Sequence, residues 1–143
     1  MKIGELARLG QCTVETVRYY EKAGLLSPAA RTGSNYRHYG DAHLARLRFI
    51  RNCRALDMTH DEVRALLGLV DQPANDCGGI NHVLDEHIAH VEVRIKELKQ
   101  LKQQLVALRQ SCHGEQSVIA CGIVQGLATM ETETRHERQT HLG

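Results

Sequence analysis

INHVLDEHIAHVEVRIKELKQLKQQLVALRQ, residues 80–110, contains neither Pro nor Gly. Leu84, Ile88, Val91, Ile95, Leu98, Leu101, Leu105 and Leu108 recur in it at steps of four and three. That spacing predicts one long amphipathic helix with a narrow apolar seam. At 1.5 Å per residue the rod is about 46 Å long, more than a domain of this size can bury against itself. The seam therefore expects a partner helix.

Three of the five cysteines flank the rod: Cys77 before it, Cys112 at its end and Cys121 nine residues later. A continuous helix would hold Cys77 on the order of 50 Å from Cys112 of its own chain, too far to share a ligand. Two rods laid antiparallel in a homodimer would bring Cys77 of one copy beside Cys112 and Cys121 of the other, and two-fold symmetry would make the site twice. The expected chemistry is a pair of three-thiolate metal sites across the dimer interface.

Working outward, a chain of 143 residues is one domain, or a small domain with an extension. With no Trp and a single Phe, Phe49, it can build only modest helical cores, so a dimer seam would supply much of the burial. The formal charge of +1 hides an asymmetry: residues 1–54 carry ten Lys or Arg against four Asp or Glu, and the rest carries eight against thirteen. The basic part points to a polyanion, most often nucleic acid. Met1 leads into a charged segment with no signal peptide and no bilayer-length apolar run, so the expected location is cytoplasmic. In a reducing cytosol, an odd number of cysteines argues for metal or redox chemistry over a disulfide framework.

Ile3, Leu6, Ala7 and Leu9 share one face of a short first helix closed by Gly10. Thr13 is the expected N-cap of a second, over residues 14–23, ended by Lys22 and Gly24. Two short helices joined by a tight turn make a helix-turn-helix, with Glu15, Thr16, Arg18, Tyr19 and Lys22 facing outward from the second. Residues 25–40, with Arg31, Asn35, Tyr36, Arg37 and Tyr39, read as a turn and hairpin too polar for a core. Asp41 begins a third helix to about residue 56, with Leu44, Leu47, Ile50 and Cys53 inward and Arg46, Arg48, Arg51 and Arg54 mostly outward. Thr59 and Glu62 form a capping box for a fourth helix, where Val63, Leu66 and Leu67 give an apolar side. Residues 71–79 are a hinge, and beyond the rod a polar loop leads to an apolar turn at Ile123, Val124 and Leu127. The tail lacks periodicity and reads as disordered. The domain boundaries expected are 1–70 for DNA binding, 71–79 hinge, 80–111 dimerisation helix, 112–128 metal-binding loop with a short helix, and 129–143 tail.

The opening IGELARLGQCTVETVRYYEKAGLLSP, the segment NYRHYG, the segment LRFIRNCRALDMTHDEV and the cysteine-bracketed rod together resemble the MerR family of winged-helix transcriptional regulators. DCGGINHVLDEHI, with CGIVQGL downstream, is similar to the lead- and cadmium-responsive branch. The resemblance implies an all-α fold: a winged helix-turn-helix domain with a small β-hairpin wing, plus a long antiparallel coiled-coil dimerisation helix. It also implies a homodimer on a pseudo-palindromic promoter with an over-long spacer, where effector binding bends and untwists the DNA for RNA polymerase. Carried over by position, it assigns DNA contacts to Thr16, Arg18, Tyr19, Tyr36 and Arg37. The copper branch has Ser where this chain has Cys77. The iron-sulfur branch clusters four cysteines after the rod where this chain has two, and the drug-binding branch needs a larger effector domain.

Three thiolates without carboxylates select soft or borderline ions. Lead(II) comes first because its lone pair suits a three-sulfur pyramid, and cadmium(II) is close behind. Mercury(II) and zinc(II) follow; zinc would need a fourth ligand, water or His113. Cys12 and Cys53 read as small buried apolar residues. His82, His87 and His90 read as solvated or seam-packed, and His136 and His141 as weak scavengers or plain tail. No nucleophile motif, paired-carboxylate cleft or phosphate-cradling loop points to an enzyme. Two alternatives stay open: a thiol redox sensor using Cys112 and Cys121, and a metal buffer without a DNA role.

Overall fold

The computed structural model describes residues 1–31, 33, 37–72, 76–114 and 117–132. It divides into two compact units, Met1–Asp85 and Glu86–Gly143.

The first unit opens with α1 (Ile3–Leu9) and α2 (Val14–Lys22), joined by a turn in which Gln11 takes the left-handed region at φ 55°. Gly10 is required there, because a Cβ would overlap the Leu47 side chain. Thr13 caps α2 as its sequence suggests, its Oγ1 accepting from the Thr16 N–H at 3.1 Å. Gly24, at φ 76°, takes the left-handed conformation that turns the chain out of α2, and Leu25 and Leu26 drop into the core behind it. A two-stranded antiparallel hairpin follows, β1 (Ala30–Arg31) with β2 (Arg37–His38), in the register Ala30 to His38 and Arg31 to Arg37.

α3 (Asp41–Ala55) and α4 (His60–Asp71) complete the unit. Asp57, at φ 59°, reverses the chain between them. The capping box is present at α4: Thr59 N–H donates to Glu62 Oε1 at 2.9 Å, and Glu62 N–H to Thr59 Oγ1 at 3.0 Å. Leu6, Val17, Leu25, Leu26, Tyr39, Leu47, Ile50 and Val63 form the fully buried centre, and Val83, Ile80 and Leu84 from the next helix pack on it.

Two expectations need correction. Residues 25–40 contribute to the core after all: Tyr39 is completely buried, its hydroxyl donating to the Glu21 carboxylate, so a polar atom enters the interior with its partner. The third-helix arginines are not mostly outward either. Arg46 donates through Nε to the Leu25 carbonyl at 2.7 Å and grips the Asp71 carboxylate with both terminal nitrogens at 2.7 and 3.0 Å. Arg54 donates to the Met58 carbonyl at 2.6 Å, Arg51 is half-buried, and only Arg48 of the four is exposed.

α5 (Gly78–Gln110) is one unbroken helix of 33 residues, about 50 Å long, beginning two residues earlier than periodicity suggests. Asp76 Oδ1 accepts the Gly78 N–H at 2.8 Å and starts it early. Along it Ile88, Val93, Ile95, Leu98, Leu105 and Val106 are exposed. After a single 3₁₀ turn, Val118–Ala120, Ile123, Val124 and Leu127 lie on a short helix, α6 (Gly122–Thr129). Most of the tail lies outside the described residues.

Candidate functional site

Near the end of α5 the Ser111 hydroxyl donates to the Leu108 carbonyl at 2.6 Å, and Arg109 donates to the Cys112 carbonyl at 3.4 Å. The chain returns through the 3₁₀ turn, which Ser117 caps by accepting the Ala120 N–H at 3.4 Å. The returning segment then lies directly on the helix end. A Cβ on Gly122 would overlap the Ser111 carbonyl oxygen, and one on Gly126 would stand 3.0 Å from Leu108 Cδ1. Two bare positions therefore let α6 approach closely enough to set Cys121 beside Cys112.

Cys121 is the N-cap of α6. The Val124 N–H, then a hydrogen bond from the Cys112 thiol, then the Ile123 N–H hold the Cys121 thiol below its ordinary range, with Arg109 adding a smaller pull. The physical cause is that a thiolate at a helix start lies near backbone N–H groups with no other partner in the helix, whose partial positive charge favours it. Both sulfurs are half-buried. A pair of adjoining thiols, one biased toward the charged form and both open to solvent, suits a soft cation. His113 follows, exposed.

Cys77 is exposed just before α5, its carbonyl accepting the Asn81 N–H at 2.9 Å. Cys53 is buried and Cys12 half-buried against the core, and burial pushes both thiols up, as inert structural cysteines require. His87 is buried, whereas His82 and His90 are exposed.

The outward face of α2 is the second candidate. Arg18 is exposed and Tyr19 is 50% exposed. Thr16 is half-buried, its hydroxyl 2.9 Å from that of Thr13, so it is partly engaged in capping. Arg37 lies on β2, the strand paired with Arg31 of β1; Tyr36 lies outside the described residues. Tyr19 and Thr16 stand in an open notch of 510 Å³ lined also by Thr13, Glu15, Tyr20, Arg54 and His60. His60 in this notch escaped the sequence reading, which placed Arg54 only among the outward arginines of the third helix. The Thr-His pair at the start of a capped helix was the available signal, but which face α4 turns toward α2 is a tertiary fact.

Residues 1–69 match a family described as MerR HTH family regulatory protein, and residues 44–108 match one described as MerR, DNA binding. A Haemophilus influenzae protein named HTH-type transcriptional regulator ZntR homolog is 49% identical over 110 residues, 77% of this chain and 82% of that one. Heavy metal-dependent transcription regulator 2 of Rhizobium meliloti is 33% identical over 143 residues, covering 100% of this chain and 97% of its own. Among solved structures, the transcription regulator PbrR691 from Ralstonia metallidurans CH34 in complex with lead(II) superposes with a TM-score of 0.80 at 49% identity. That match covers 89% of this chain and 98% of the other.

Proposed function

Because this chain belongs to the MerR family of helix-turn-helix regulatory proteins, we propose that it is a transcription regulator that senses a soft divalent metal through Cys112 and Cys121 of one copy and Cys77 of a second. The observation that carries this reading is the pairing of the Cys112 and Cys121 sulfurs at the end of an unbroken helix whose beginning adjoins an exposed Cys77. A helix about 50 Å long cannot fold its own two ends together, so a third thiolate from Cys77 would come from another molecule. The exposed apolar seam of α5 supports an antiparallel second copy as that molecule, since single scattered apolar residues need no cover but a stripe does.

Three thiolates would supply a soft, three-coordinate donor set, favouring lead(II), then cadmium(II), over mercury(II) and zinc(II). The lead(II) complex of PbrR691 supports placing lead(II) first. Cys112 and Cys121 would give up their protons on binding, so affinity should fall in acid. Joining Cys77 of one copy to the loop of the other would change how the α2 faces are presented to a promoter duplex, and the DNA would read that change as altered shape. Thr16, Arg18, Tyr19, Tyr36 and Arg37 are the proposed DNA contacts.

Mixing Cys77→Ser chains with Cys112→Ser chains tests the arrangement. One intact site per heterodimer should return, read as sulfur-to-metal charge-transfer absorption on titration with lead(II). A mixture as blind as either parent defeats the shared site. Competition among lead(II), cadmium(II), mercury(II) and zinc(II) fixes the order.

A further inference from the structure

Tyr19 does not stand alone on the outer face of α2. Its hydroxyl oxygen is 3.3 Å from Nδ1 of His60, the first residue of α4, and the two rings lie 5.4 Å apart, tilted by 46°. The same imidazole meets the buried Tyr20 ring edge-on, centroids 6.4 Å apart at 80°, which fixes the plane in which Nδ1 points. All three groups line the open notch, with Arg54 beside them.

A phosphate oxygen can only accept a hydrogen bond, so the phenol of Tyr19 serves a nucleic-acid backbone only with its O–H turned outward. Its oxygen must then receive its internal hydrogen bond rather than give it, and the atom in range is His60 Nδ1. We propose that His60 is a positioning residue for DNA binding: Nδ1–H donates to the Tyr19 oxygen and leaves the phenolic O–H directed at a backbone phosphate. This rests on the reading of the α2 face as the DNA-binding surface and adds to it a residue from a different helix.

The groups facing His60 are Glu15, Tyr19 and Tyr20 from α2, Arg54 from α3, and Asp61 and Arg64 on α4 itself. Burial, then Arg54 and Arg64, hold the imidazole below its ordinary range, with Asp61 opposing. A phosphate seated in the notch would offset the two arginines and favour a proton on Nδ1 in either the neutral or the charged ring. DNA binding should therefore take up protons, and affinity should rise as pH falls through the His60 transition.

The test uses the full, metal-free chain and the duplex it enriches from a random-sequence pool, with affinity read by fluorescence anisotropy from about pH 8 to about pH 5.5. His60→Ala and Tyr19→Phe should each weaken binding about 5- to 10-fold, and the double variant should be no weaker than Tyr19→Phe alone. His60→Asn, whose amide nitrogen stands near the place of Nδ1, should recover most of the affinity while losing the pH dependence. Nitrogen-15 shifts of the bound wild-type chain should show the proton on Nδ1, a readout that needs no variant. A proton on Nε2 alone in the complex, additive losses, or a His60→Asn chain as weak as His60→Ala overturns the inference. A wild type that binds while His60→Ala is silent sinks this inference only; a wild type that enriches no duplex brings down the DNA-binding reading with it.

Discussion

The two compact units satisfy their atoms in opposite ways. In Met1–Asp85 a core of apolar side chains is buried, and several polar ones that follow them have partners: Tyr39 on Glu21, Arg46 on Asp71 and Leu25, Arg54 on Met58. Among the described residues of Glu86–Gly143 the larger apolar side chains are mostly outside, with Val118 74% and Ile119 85% exposed, and two thiols lie side by side. One unit is a finished domain that reads a ligand with its surface. The other leaves an apolar surface exposed and two adjoining thiols open to solvent, and on the proposed reading a second copy completes it.

The sharpest way to break this comparison is at the finished core. Leu47→Ala should cost the first unit about 2–5 kcal/mol, read as a lowered urea midpoint of tyrosine fluorescence. A loss below that range would mean the core is looser than its complete burial of Leu47 implies. Next comes the open end. Gly122→Ala forces the returning segment away from Ser111 and so parts the two sulfurs, and lead(II) affinity should fall about 10- to 100-fold with the urea midpoint unmoved. Unchanged affinity would show that the close approach does not set the thiol pair.

Smaller effects sharpen the contrast. Thr59→Ala removes the α4 cap and should lower stability by about 1 kcal/mol, by thermal melting. Arg46→Ala loses the Leu25 carbonyl bond and the Asp71 fork and should cost about 1 kcal/mol, against a side chain 26% exposed. Its pH dependence has a definite sign. The hydrogen bond from Arg46 holds the Asp71 carboxyl below the usual carboxylate range, so the support is present above the unfolded value and is lost as pH falls through the lowered one. The gap between wild type and Arg46→Ala should therefore narrow on acidification; a gap that widens would contradict the fork.

What the sequence made legible follows the same division of local from distant. The rod, the Thr13 and Thr59 caps and the hairpin depend on residues a few positions apart, so composition and spacing suffice to read them. Tyr39 was misplaced because its neighbours in sequence are polar, while the Glu21 carboxylate that lets it enter the core is eighteen positions away. Arg46 looked solvated because Asp71 is twenty-five positions off. The meeting of Cys112 with Cys121 could be framed but not read, since it turns on the bare flank of Gly122 against Ser111. His60 was passed over as a cap neighbour because its partner Tyr19 lies on another helix.

The Arg46 fork has a mechanical consequence. It ties the far end of α4 to α3, while its third bond ties α3 to the turn after α2, so three segments of the first unit share one guanidinium. Arg64, donating to the Ala23 carbonyl at 3.0 Å, adds a second strut between α4 and that turn. A body braced in this way resists bending between these segments, so a load applied at one of them is shared by all three.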